Sequence, residues 1–454
     1  MPTTFPLVTR KMHEPVAFLT RPTGALSLQA GPVSTQQFLD HVKAIADSLP
    51  GNRYAINLCE NRYLFLVTFC AAIFRGQTNL LPQNKNEATQ RQFLNEYPDS
   101  FIIHDGEDSA DTARSVAIAD IVVEGNNDAL DTVPQIDDDH LACISFTSGS
   151  TGRAKPNLKY WRTLHQSTAI NSRFMLPDIP DTLYQLATMP AQHMWGLETS
   201  ALIPLFANVC LSDAKPLFPQ DIIDTLNMLP RPRMLVSTPV HLRALTAVPV
   251  EDADVRTILC ATSPLTPELA GDIEQQFCAP LLEVYGCSEV GSMAIRRTAS
   301  QHAWRRFDGI TFEQDNEKTV ASAEHLPVST ELQDFIQPVD EHHFTLAGRA
   351  TDLIKIAGKR GSLFEINQTL LRFSGLIDGI VIHPDSTRAV TRLCAIVSLK
   401  PGIEKSELIG FLKESLDNAF VPRPIYVVDT LPRESNGKLL KTSVDALLST
   451  LRKR

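Results

Sequence analysis

Short apolar runs alternate with amphipathic helical patterns along the first 140 residues. Residues 54–58, 78–82 and 100–103 are apolar runs of strand length, and they predict three β-strands. Residues 61–74 and 87–97 lie between these runs and repeat apolar side chains with the period of a helix. Strands that alternate with helices are typical of βαβ units, so the pattern predicts an α/β fold.

The alternation of strands and helices continues further along the chain before the pattern changes. Four later apolar runs also predict strands, and they are residues 183–189, 233–238, 255–262 and 280–285. From residue 307 to residue 344 the runs are short, charged and typical of irregular β-structure. About a hundred residues of α+β pattern follow, which is a typical domain size. We therefore predict a large domain over residues 1–349 and a small domain over residues 350–454.

Composition is that of an ordinary globular protein of more than one domain. The chain has 454 residues, too many for a single hydrophobic core, and 43% of them are hydrophobic. The sequence contains no apolar stretch of about 18 residues and no signal-peptide pattern at its start. The eight cysteines form no CxxC pair and lie mostly in apolar runs, as reduced thiols do. We expect a cytoplasmic protein without a membrane span.

Charge is unevenly distributed between the two predicted domains. Residues 351–454 contain sixteen Lys and Arg against eleven Asp and Glu, a net charge of +5, whereas the whole chain has −10. A basic terminal domain on an acidic body suits a phosphorylated or acidic partner, and it equally suits a solvated surface without a partner. The basic residues form no long run and do not alternate with aromatic residues, which argues against nucleic-acid binding.

A loop of small hydroxyl residues, glycines and one lysine follows the apolar run at residues 141–146. Its residues are Thr147, Ser148, Gly149, Ser150, Thr151, Gly152 and Lys155. Glycines allow the backbone to approach an anion, and free N–H groups, hydroxyls and a lysine can bind phosphate oxygens. The spacing of Gly149, Gly152 and Lys155 excludes a Walker A motif. Taken alone, a segment of this kind is more often an ordinary turn.

Three later segments repeat the pattern of a polar motif near a strand end. They are residues 285–289 after an apolar run, residues 348–358, and residues 431–438 near the C-terminus. In order and spacing the four segments resemble the adenylate-forming superfamily of acyl-CoA synthetases, aryl-acid ligases, luciferases and peptide-synthetase adenylation domains. The resemblance covers roughly residues 140–445. It implies a large N-terminal adenylate-forming domain of αβ-layered subdomains and a small mobile α+β C-terminal domain.

The resemblance also implies where ATP and Mg²⁺ bind. In addition to the loop residues Thr147 to Gly152 and Lys155, it assigns ATP contacts to Tyr285, Gly286, Ser288, Asp334 and Arg349. In that family the loop holds the β- and γ-phosphates, and the residues matching Tyr285 and Asp334 stack on adenine and bind the ribose hydroxyls. Glu289, with Ser288 beside it, matches the Mg²⁺ ligand. Without the resemblance, Tyr285 could equally be a buried residue before a strand-end turn, and Asp334 would be interpreted as a solvated surface residue.

This chain departs from the family pattern at three positions near these motifs. Pro156 follows the lysine where glycine is common, which leaves the geometry of the loop open. Ser288 replaces a threonine but keeps the hydroxyl group. Thr351 occupies the position of the family's hinge residue, where Asp or Lys is more common, so the pivot of the domain rotation stays open.

The catalytic and acid-binding residues also follow from the resemblance. Lys438 matches the lysine that bridges the carboxylate and the α-phosphate, and a flexible point charge suits that task. We predict Lys438, Glu289 and His193 as the catalytic residues. The resemblance implies that His193, with Trp195 close by, borders the acyl pocket. Residues 189–196 contain no aspartate of the kind that holds the amino group in amino-acid-activating relatives. The remaining predicted acid and thiol contacts are Ala261, Thr262, Gly286 and Gly358.

The leading interpretation is an AMP-forming acid–thiol ligase. It would form acyl-AMP and pyrophosphate, and then transfer the acyl group to a phosphopantetheine thiol. The compact chain resembles hydroxybenzoate–acyl carrier protein ligases of bacterial aryl-polyene and xanthomonadin pathways, which implies 4-hydroxybenzoate or a similar acid. One alternative is an aryl or fatty acyl-CoA synthetase that uses free CoA. The other is a non-catalytic adenylate-binding regulator, against which the retention of Lys155, Glu289 and Lys438 argues.

Overall fold

The computed structural model describes most of the chain. The segments it does not describe are residues 1–2, 23–25, 27, 107–111, 122–129, 131, 149–153, 252, 315–317, 350–351, 357–358, 384–391, 435–438 and 453–454. We call the described residues up to 349 the body and those from 352 onward the C-terminal domain. None of the described helices is both long enough and apolar enough to cross a membrane.

The first half of the body contains twelve strands and six α-helices among its described residues. The strands are β1 (Thr4–Pro6), β2 (Pro15–Leu19), β3 (Gly31–Ser34), β4 (Tyr54–Asn57), β5 (Thr78–Leu81), β6 (Ser100–His104), β7 (Ser115–Ala117), β8 (Gln135–Asp137), β9 (Leu141–Ser148), β10 (Ala154–Tyr160), β11 (Leu183–Ala187) and β12 (Val209–Ser212). The helices are α1 (Thr35–Ser48), α2 (Arg62–Phe74), α3 (Glu87–Glu96), α4 (Trp161–Met175), α5 (Met194–Leu197) and α6 (Ile203–Phe206). A π-helical turn, Glu198–Leu202, joins the last two helices.

The second half of the body contains ten strands and three helices among its described residues. The strands are β13 (Arg233–Ser237), β14 (Val255–Cys260), β15 (Leu281–Cys287), β16 (Gly291–Arg296), β17 (Trp304–Arg306), β18 (Thr311–Gln314), β19 (Thr319–Ser322), β20 (Thr330–Leu332), β21 (Asp334–Pro338) and β22 (His343–Arg349). The helices are α7 (Pro219–Met228), α8 (Pro239–Leu245) and α9 (Pro267–Phe277).

The C-terminal domain has five strands and three helices in its described part. The strands are β23 (Leu353–Ile356), β24 (Lys359–Ser362), β25 (Leu376–Ile382), β26 (Cys394–Leu399) and β27 (Ile425–Val427). The helices are α10 (Leu363–Leu371), α11 (Lys405–Ser415) and α12 (Lys441–Leu451). Strands β25, β26 and β27 form one sheet, and apolar side chains from the three helices pack around it.

A six-stranded sheet in the order β10-β9-β5-β4-β6-β7 forms one layer of the body. All neighbouring pairs in this sheet are parallel except β9 and β10, which form an antiparallel hairpin. Helix α2 connects β4 and β5 and is almost entirely buried, because both faces of a parallel sheet need cover. The side chain of Asn61 caps this helix by accepting the backbone N–H groups of Tyr63 and Leu64.

An eleven-stranded sheet in the order β21-β22-β17-β16-β15-β14-β13-β11-β12-β2-β3 forms the other large layer. Its centre, from β15 to β2, is parallel, and antiparallel strands extend it at both ends. The carboxyl ends of the parallel strands therefore lie along one edge. That edge is the usual ligand-binding side of an open α/β sheet.

The α/β fold and the separate small C-terminal domain expected from the sequence are confirmed. The strands predicted at residues 54–58, 183–189 and 255–262 correspond to β4, β11 and β14, and all three end one to two residues earlier than predicted. The sequence pattern missed β2, β3 and β12, which complete the large sheet. The division at residues 349 and 350 stays a prediction, and no hydrophobic cluster of described residues includes members from both sides of it.

Candidate active site

The predicted phosphate loop connects the two strands of an antiparallel hairpin. Strands β9 and β10 pair in a register that places Thr147 opposite Lys155 and Ser148 opposite Ala154. Lys155 is exposed, so its ammonium group is available to an anion at the end of the hairpin. Gly149, Ser150, Thr151 and Gly152 lie outside the described residues, as does the side chain of Ser148.

Tyr285 and Asp334, both predicted to bind the nucleoside, are joined by a hydrogen bond. The hydroxyl group of Tyr285 donates to Oδ2 of Asp334 at 3.0 Å, although the two residues are 49 positions apart. The Tyr285 ring is buried between Trp304 and Phe344, with ring centroids 5.7 and 6.0 Å away. Asp334 also pairs with Arg349 in the register of β21 and β22, which brings the backbone of the third predicted residue to the same place.

The side chain of Arg349 lies outside the described residues, so its contacts stay a prediction. The burial of Tyr285 does not by itself indicate nucleotide binding, because a tyrosine before an ordinary strand-end turn would be buried as well. The hydrogen bond to Asp334 goes further, because it joins an aromatic face and a carboxylate that could serve adenine and ribose respectively.

The predicted metal ligand Glu289 lies in the tight turn between β15 and β16. The Glu289 side chain is partly buried, and its carboxylate makes no hydrogen bond to any described residue. Ser288 lies beside it in the same turn. A Cβ at Gly286 would lie 2.4 Å from the carbonyl oxygen of Gly291, so the hairpin closes only with glycine at this position. The turn therefore presents one available carboxylate and one hydroxyl-bearing side chain.

These residues fit a magnesium ion. Mg²⁺ prefers oxygen ligands and usually binds one or two carboxylates together with substrate phosphates, without an all-protein cage. Among the described residues no group of three or more His, Cys, Asp or Glu side chains could hold a metal. An available Glu289 carboxylate on a partly buried turn agrees with a metal that arrives with the nucleotide.

The predicted acid-binding residues lie along the carboxyl edge of the large sheet. Trp195 is buried and its Nε1–H donates to the carbonyl oxygen of Ser237 at 3.3 Å, at the end of β13. Ala261 and Thr262 follow β14, the next strand of the sheet. Trp195, Ala261 and Tyr285 belong to one hydrophobic cluster. His193 is the residue before α5 and is partly buried.

Two hydroxyl groups at this edge are buried and have no hydrogen-bond partner among the residues that the structure describes. They are the Oγ1 atoms of Thr238 and Thr262. Thr262 also has a positive φ of 89°, which is a strained conformation for a β-branched residue. Nearby, Oγ1 of Thr188 lies 2.7 Å from Nδ1 of His241, and burial lowers the pKa of this histidine. Unpaired buried hydroxyls are available to a polar group of a ligand.

The remaining predicted residues belong to segments of the C-terminal domain that the structure does not describe. Gly358 and Lys438 lie in these segments, so their predicted roles are not placed. Arg433 and Leu439 form an antiparallel bridge on either side of the segment that contains Lys438. The guanidinium group of Arg433 donates two hydrogen bonds of 2.6 Å to the carboxylate of Asp378. The C-terminal domain also contacts the body, because Arg243 donates to the carbonyl oxygen of Leu376 at 3.4 Å.

Strands β15 and β16 and the turn with Glu289 form a hairpin, residues 281–296, that we call the metal-loop hairpin. Sequence reasoning missed a group of buried polar residues behind it. They are Lys159, Asn171, Glu198 and Ser292, all nearly inaccessible to solvent. One signal was available for Glu198, which is the only charged residue in the largely apolar segment of residues 194–206. Lys159 lies four residues after Lys155, on a strand whose neighbouring positions gave no reason to expect a buried charge.

The fold and the site agree with comparisons to known protein families. The model of the AMP-binding enzyme family matches residues 48–320, and the model of the AMP-binding enzyme C-terminal domain matches residues 365–438. The chain therefore belongs to the AMP-binding enzyme family. It is an AMP-forming acid–thiol ligase, an enzyme class that uses ATP with Mg²⁺. This assignment contradicts the alternative of a non-catalytic regulator.

Two curated relatives illustrate the range of acceptors among similar proteins. The 2-succinylbenzoate–CoA ligase of Staphylococcus aureus (strain MRSA252) is 25% identical over 343 residues, which are 67% of this chain and 67% of that protein. The 3,4-dihydroxybenzoate–[aryl-carrier protein] ligase of Bacillus anthracis is 21% identical over 310 residues, 65% of this chain and 71% of that protein. One is named for CoA and the other for a carrier protein.

Solved structures share the fold over almost the whole chain. ATP-bound MatB from Rhodopseudomonas palustris has a TM-score of 0.79 at 17% identity, with 97% of each chain covered. O-succinylbenzoate CoA synthetase (MenE) from Bacillus subtilis, in complex with its acyl-adenylate intermediate, has a TM-score of 0.78 at 16% identity. That match covers 97% of this chain and 98% of MenE.

Proposed function

We propose that this enzyme activates an aryl carboxylic acid such as 4-hydroxybenzoate and transfers it to the phosphopantetheine thiol of an acyl carrier protein. In the first step a carboxylate oxygen of the acid forms a bond to the α-phosphorus of ATP, and pyrophosphate leaves. In the second step the thiol sulfur bonds to the acyl carbon, AMP leaves with the acid's oxygen, and the thiol proton passes to solvent. Both steps balance without a further reactant.

The observation on which the nucleotide part of this proposal rests is the hydrogen bond between Tyr285 and Asp334. It presents an aromatic ring and a carboxylate side by side, and Glu289 lies four residues after Tyr285 in the same hairpin. We propose that Tyr285 and Asp334 bind the adenosine, that Lys155 contacts the phosphates, and that Glu289, with Ser288 beside it, holds Mg²⁺. When bound, Mg²⁺ neutralises negative charge on the phosphate oxygens. Lys438 supplies the cation at the reacting carboxylate.

The preference for an aryl acid is supported by the residues at the carboxyl edge of the large sheet. We propose that Trp195 forms a flat apolar wall of the acid site, next to the small side chain of Ala261 in the same hydrophobic cluster. The unpaired hydroxyls of Thr238 and Thr262 could bind a polar substituent of the ring. Both curated relatives described above are named for substituted benzoates. We propose His193 as a further contact to the acid, and Gly358 as part of the thiol entrance.

The acid is identified by measuring pyrophosphate release with a panel of carboxylic acids. We expect 4-hydroxybenzoate and related small aryl acids to give faster release than benzoate, since benzoate leaves the buried hydroxyls unpaired. Palmitate should be activated poorly. Preference for acids of palmitate length would contradict the proposed acid and support a fatty acyl ligase.

The acceptor is identified by comparing free CoA with a phosphopantetheinylated acyl carrier protein at equal concentration. The relative named for CoA keeps an aryl acyl-CoA synthetase as the second candidate. The net charge of +5 over residues 351–454 favours an acidic carrier protein. We expect transfer to the carrier protein to slow by about twofold to fivefold as added salt screens this attraction, while acyl-AMP formation changes less. Clearly faster transfer to CoA would favour the synthetase.

Two further expectations belong to the same proposal. We propose the division into residues 1–349 and 350–454 as the boundary between the ATP-binding domain and the C-terminal domain. We also propose that the enzyme works in the cytoplasm, since all eight cysteines are free, as expected in a reducing compartment.

A further inference from the structure

Three segments with proposed binding roles meet behind the metal-loop hairpin, on one buried polar cluster. Lys159 continues the strand that begins at the phosphate loop, Glu198 continues the helix that begins after His193, and Ser292 follows the turn that contains Glu289. Asn171 on α4 completes the group. We call these four residues the Lys159–Glu198 cluster, and the exposed fraction of each is 8% or less.

The carboxylate of Glu198 holds the hairpin from the side of the acid-binding helix. Its Oε1 accepts the backbone N–H of Ser292 at 3.0 Å, and its Oε2 accepts the Ser292 hydroxyl at 2.8 Å. Asn171 donates a third hydrogen bond to Oε1 at 3.3 Å. A Cβ at Gly291 would lie 2.5 Å from Oε1, so the carboxylate fits directly against the backbone of the hairpin. The contact fixes both the position and the conformation of residues 291 and 292.

Lys159 holds the same hairpin from the side of the phosphate loop. Its Nζ donates to the backbone carbonyl oxygen of Glu289 at 2.7 Å, across 130 residues of sequence. This is a contact between the two large sheets, because β10 belongs to the six-stranded sheet and the hairpin to the eleven-stranded one. The ammonium group therefore fixes the backbone of the residue whose side chain is the proposed metal ligand.

The local helix geometry also contributes to the position of the Glu198 carboxylate. Residues Glu198–Leu202 form a π-helical turn within an otherwise α-helical segment. Such π-turns, with hydrogen bonds from residue i to i+5, are rare and are frequently found at functional sites. Here the turn directs the Glu198 carboxylate toward Ser292 while Trp195, one turn earlier, contacts Ser237.

Burying these charges has a free-energy cost. Burial raises the pKa of Glu198 and lowers the pKa of Lys159, and the attraction between the two groups opposes both shifts. Apolar side chains of similar size often stabilise a protein as well as buried charged groups do. Burial of the two charges has a functional explanation if they fix the turn that contains Glu289, because metal binding depends on the position of the ligand residue.

We propose that Lys159 and Glu198 are positioning residues for Glu289, and that together they set the affinity of the site for the metal–nucleotide complex. This inference rests on the proposed role of Glu289 as the Mg²⁺ ligand. Neither side chain touches the substrate in this account. Each acts through the backbone of the hairpin, Lys159 at Glu289 and Glu198 at Ser292.

The test measures ATP binding as a function of Mg²⁺ concentration by isothermal titration calorimetry, with the full chain and no acid present. Lys159→Met removes the donor to Glu289 and keeps the length of the side chain. We expect it to raise the Mg²⁺ concentration for half-maximal ATP binding about tenfold, the usual effect of losing an outer partner of a metal ligand. Glu198→Gln should shift it in the same direction, since the charge that faces Lys159 is lost.

Steady-state kinetics separate positioning from general damage. Both variants should raise KM for Mg²⁺–ATP while kcat at saturating Mg²⁺ stays within about threefold, because excess metal restores the loaded site. The double variant should shift the Mg²⁺ dependence no further than the larger single effect, since both residues hold one hairpin. Fully additive shifts would contradict a shared function of the cluster.

The matched control is Glu283→Gln, at the other end of the same hairpin. Glu283 is also a buried carboxylate, and it accepts hydrogen bonds from Arg296 at 2.7 Å and from Thr298 at 2.6 Å. We expect this variant to lower the unfolding temperature without changing the Mg²⁺ dependence. An equal Mg²⁺ shift in the control would show that any weakening of the hairpin has the same effect, which overturns the inference.

Glu289→Gln distinguishes failure of this inference from failure of the proposed function. If it leaves the Mg²⁺ dependence unchanged, Glu289 is not the ligand, and both proposals fall. If Glu289→Gln raises the Mg²⁺ concentration for half-maximal ATP binding while Lys159→Met and Glu198→Gln leave it unchanged, only the positioning role is wrong. If the Glu198 variant fails to fold, Ser292→Ala is the substitute, because it removes a single hydrogen bond to Glu198. We expect it to raise the Mg²⁺ concentration for half-maximal ATP binding by a smaller factor. An unchanged concentration would contradict the proposal.

Discussion

Charged side chains are buried throughout the body, whereas the C-terminal domain has none among its described residues. The buried charged residues of the body are Arg10, Arg62, Lys159, Glu198, Asp213, Arg233 and Glu283. In the described part of the C-terminal domain the buried polar side chains are Thr369 and Ser398, which have only hydroxyl groups. Its principal ion pair, Asp378 with Arg433, keeps some contact with water.

The buried cations of the body mostly bind backbone carbonyl oxygens near strand ends. Arg62 donates to the carbonyl oxygens of Ala187 and Met189 and to the hydroxyl of Ser200. These groups flank the segment that contains His193. Burial lowers the pKa of Arg62 to about 10, and the nearby Asp213 carboxylate opposes this shift. Arg10 and Arg233 instead bind carbonyl oxygens at the start of strands of the large sheet. The comparison indicates that the body uses buried charge to fix backbone segments at both edges of this sheet, while the C-terminal domain is held by an ordinary apolar core.

The largest expected effect is on the rate of acyl-AMP formation, and it comes from a charged residue of the C-terminal domain. It tests whether this domain, which buries no charged side chain among its described residues, nevertheless supplies a charge to catalysis. Lys438→Ala should slow acyl-AMP formation by about 10²–10³-fold, because it removes a cation aimed at charge that develops in the transition state. Pyrophosphate release measures this step. Transfer from chemically prepared acyl-AMP should stay largely intact. Equal loss of both steps would mean that Lys438 supports the structure of the domain.

A matched pair of arginine variants tests the comparison directly. Arg62→Met should lower the free energy of unfolding of the body by about 4 kcal/mol, because three buried acceptors lose their donor at about 1–3 kcal/mol each. Arg433→Met should cost about 1–2 kcal/mol, since Asp378 can still reach water. Hydrogen exchange localises each loss, which is necessary because a two-domain chain need not unfold in one step. Similar losses in the two variants would remove the contrast between the two regions.

An apolar substitution should affect the C-terminal domain without affecting the body. Leu412 on α11 is fully buried, so Leu412→Ala should lower the local free energy of unfolding by about 3 kcal/mol. Lys413→Ala, at the exposed neighbouring position on the same helix, should change it by less than about 0.5 kcal/mol. Hydrogen exchange should show the loss in residues 352–452 only. Faster exchange in the body as well would mean that the two cores are coupled.

The smallest effect we expect is a difference in acid sensitivity. Burial lowers the pKa of five histidines of the body, which are His41, His140, His165, His241 and His325. A lowered pKa in the folded state stabilises the protein fully above the unfolded pKa of about 6.5 and progressively less as pH falls below it. The C-terminal domain contains one histidine, His383.

The body should therefore lose more stability than the C-terminal domain between pH 7 and about pH 5.5, a range in which most carboxylates remain ionised. Hydrogen exchange at the two pH values measures both regions in one sample. His241→Gln should reduce the loss in the body, because one histidine no longer resists protonation. A greater loss in the C-terminal domain would contradict the expected sign.

The local pattern of the sequence was enough to predict much of the parallel sheet and the order of the motifs. Apolar runs of strand length report burial on both faces, so β4, β5, β6, β11, β13, β14 and β15 could be located from the sequence. Strands β2, β3 and β12 were missed; β2 begins with Pro15 and β3 with Gly31 and Pro32, which are turn signals in a sequence.

For the site, the sequence determined which residue types follow which strand ends, and only the tertiary structure decided which of them meet. The turn that contains Glu289 could be predicted because glycines and hydroxyl residues are local signals. The bond from Tyr285 to Asp334 spans 49 residues, and the bond from Lys159 to Glu289 spans 130. A charged residue in a strand or helix is ordinarily expected to be solvated, because burial is tolerated only when a partner compensates its charge. That partner comes from another strand or helix, so the chain alone did not reveal Lys159 and Glu198 as buried residues.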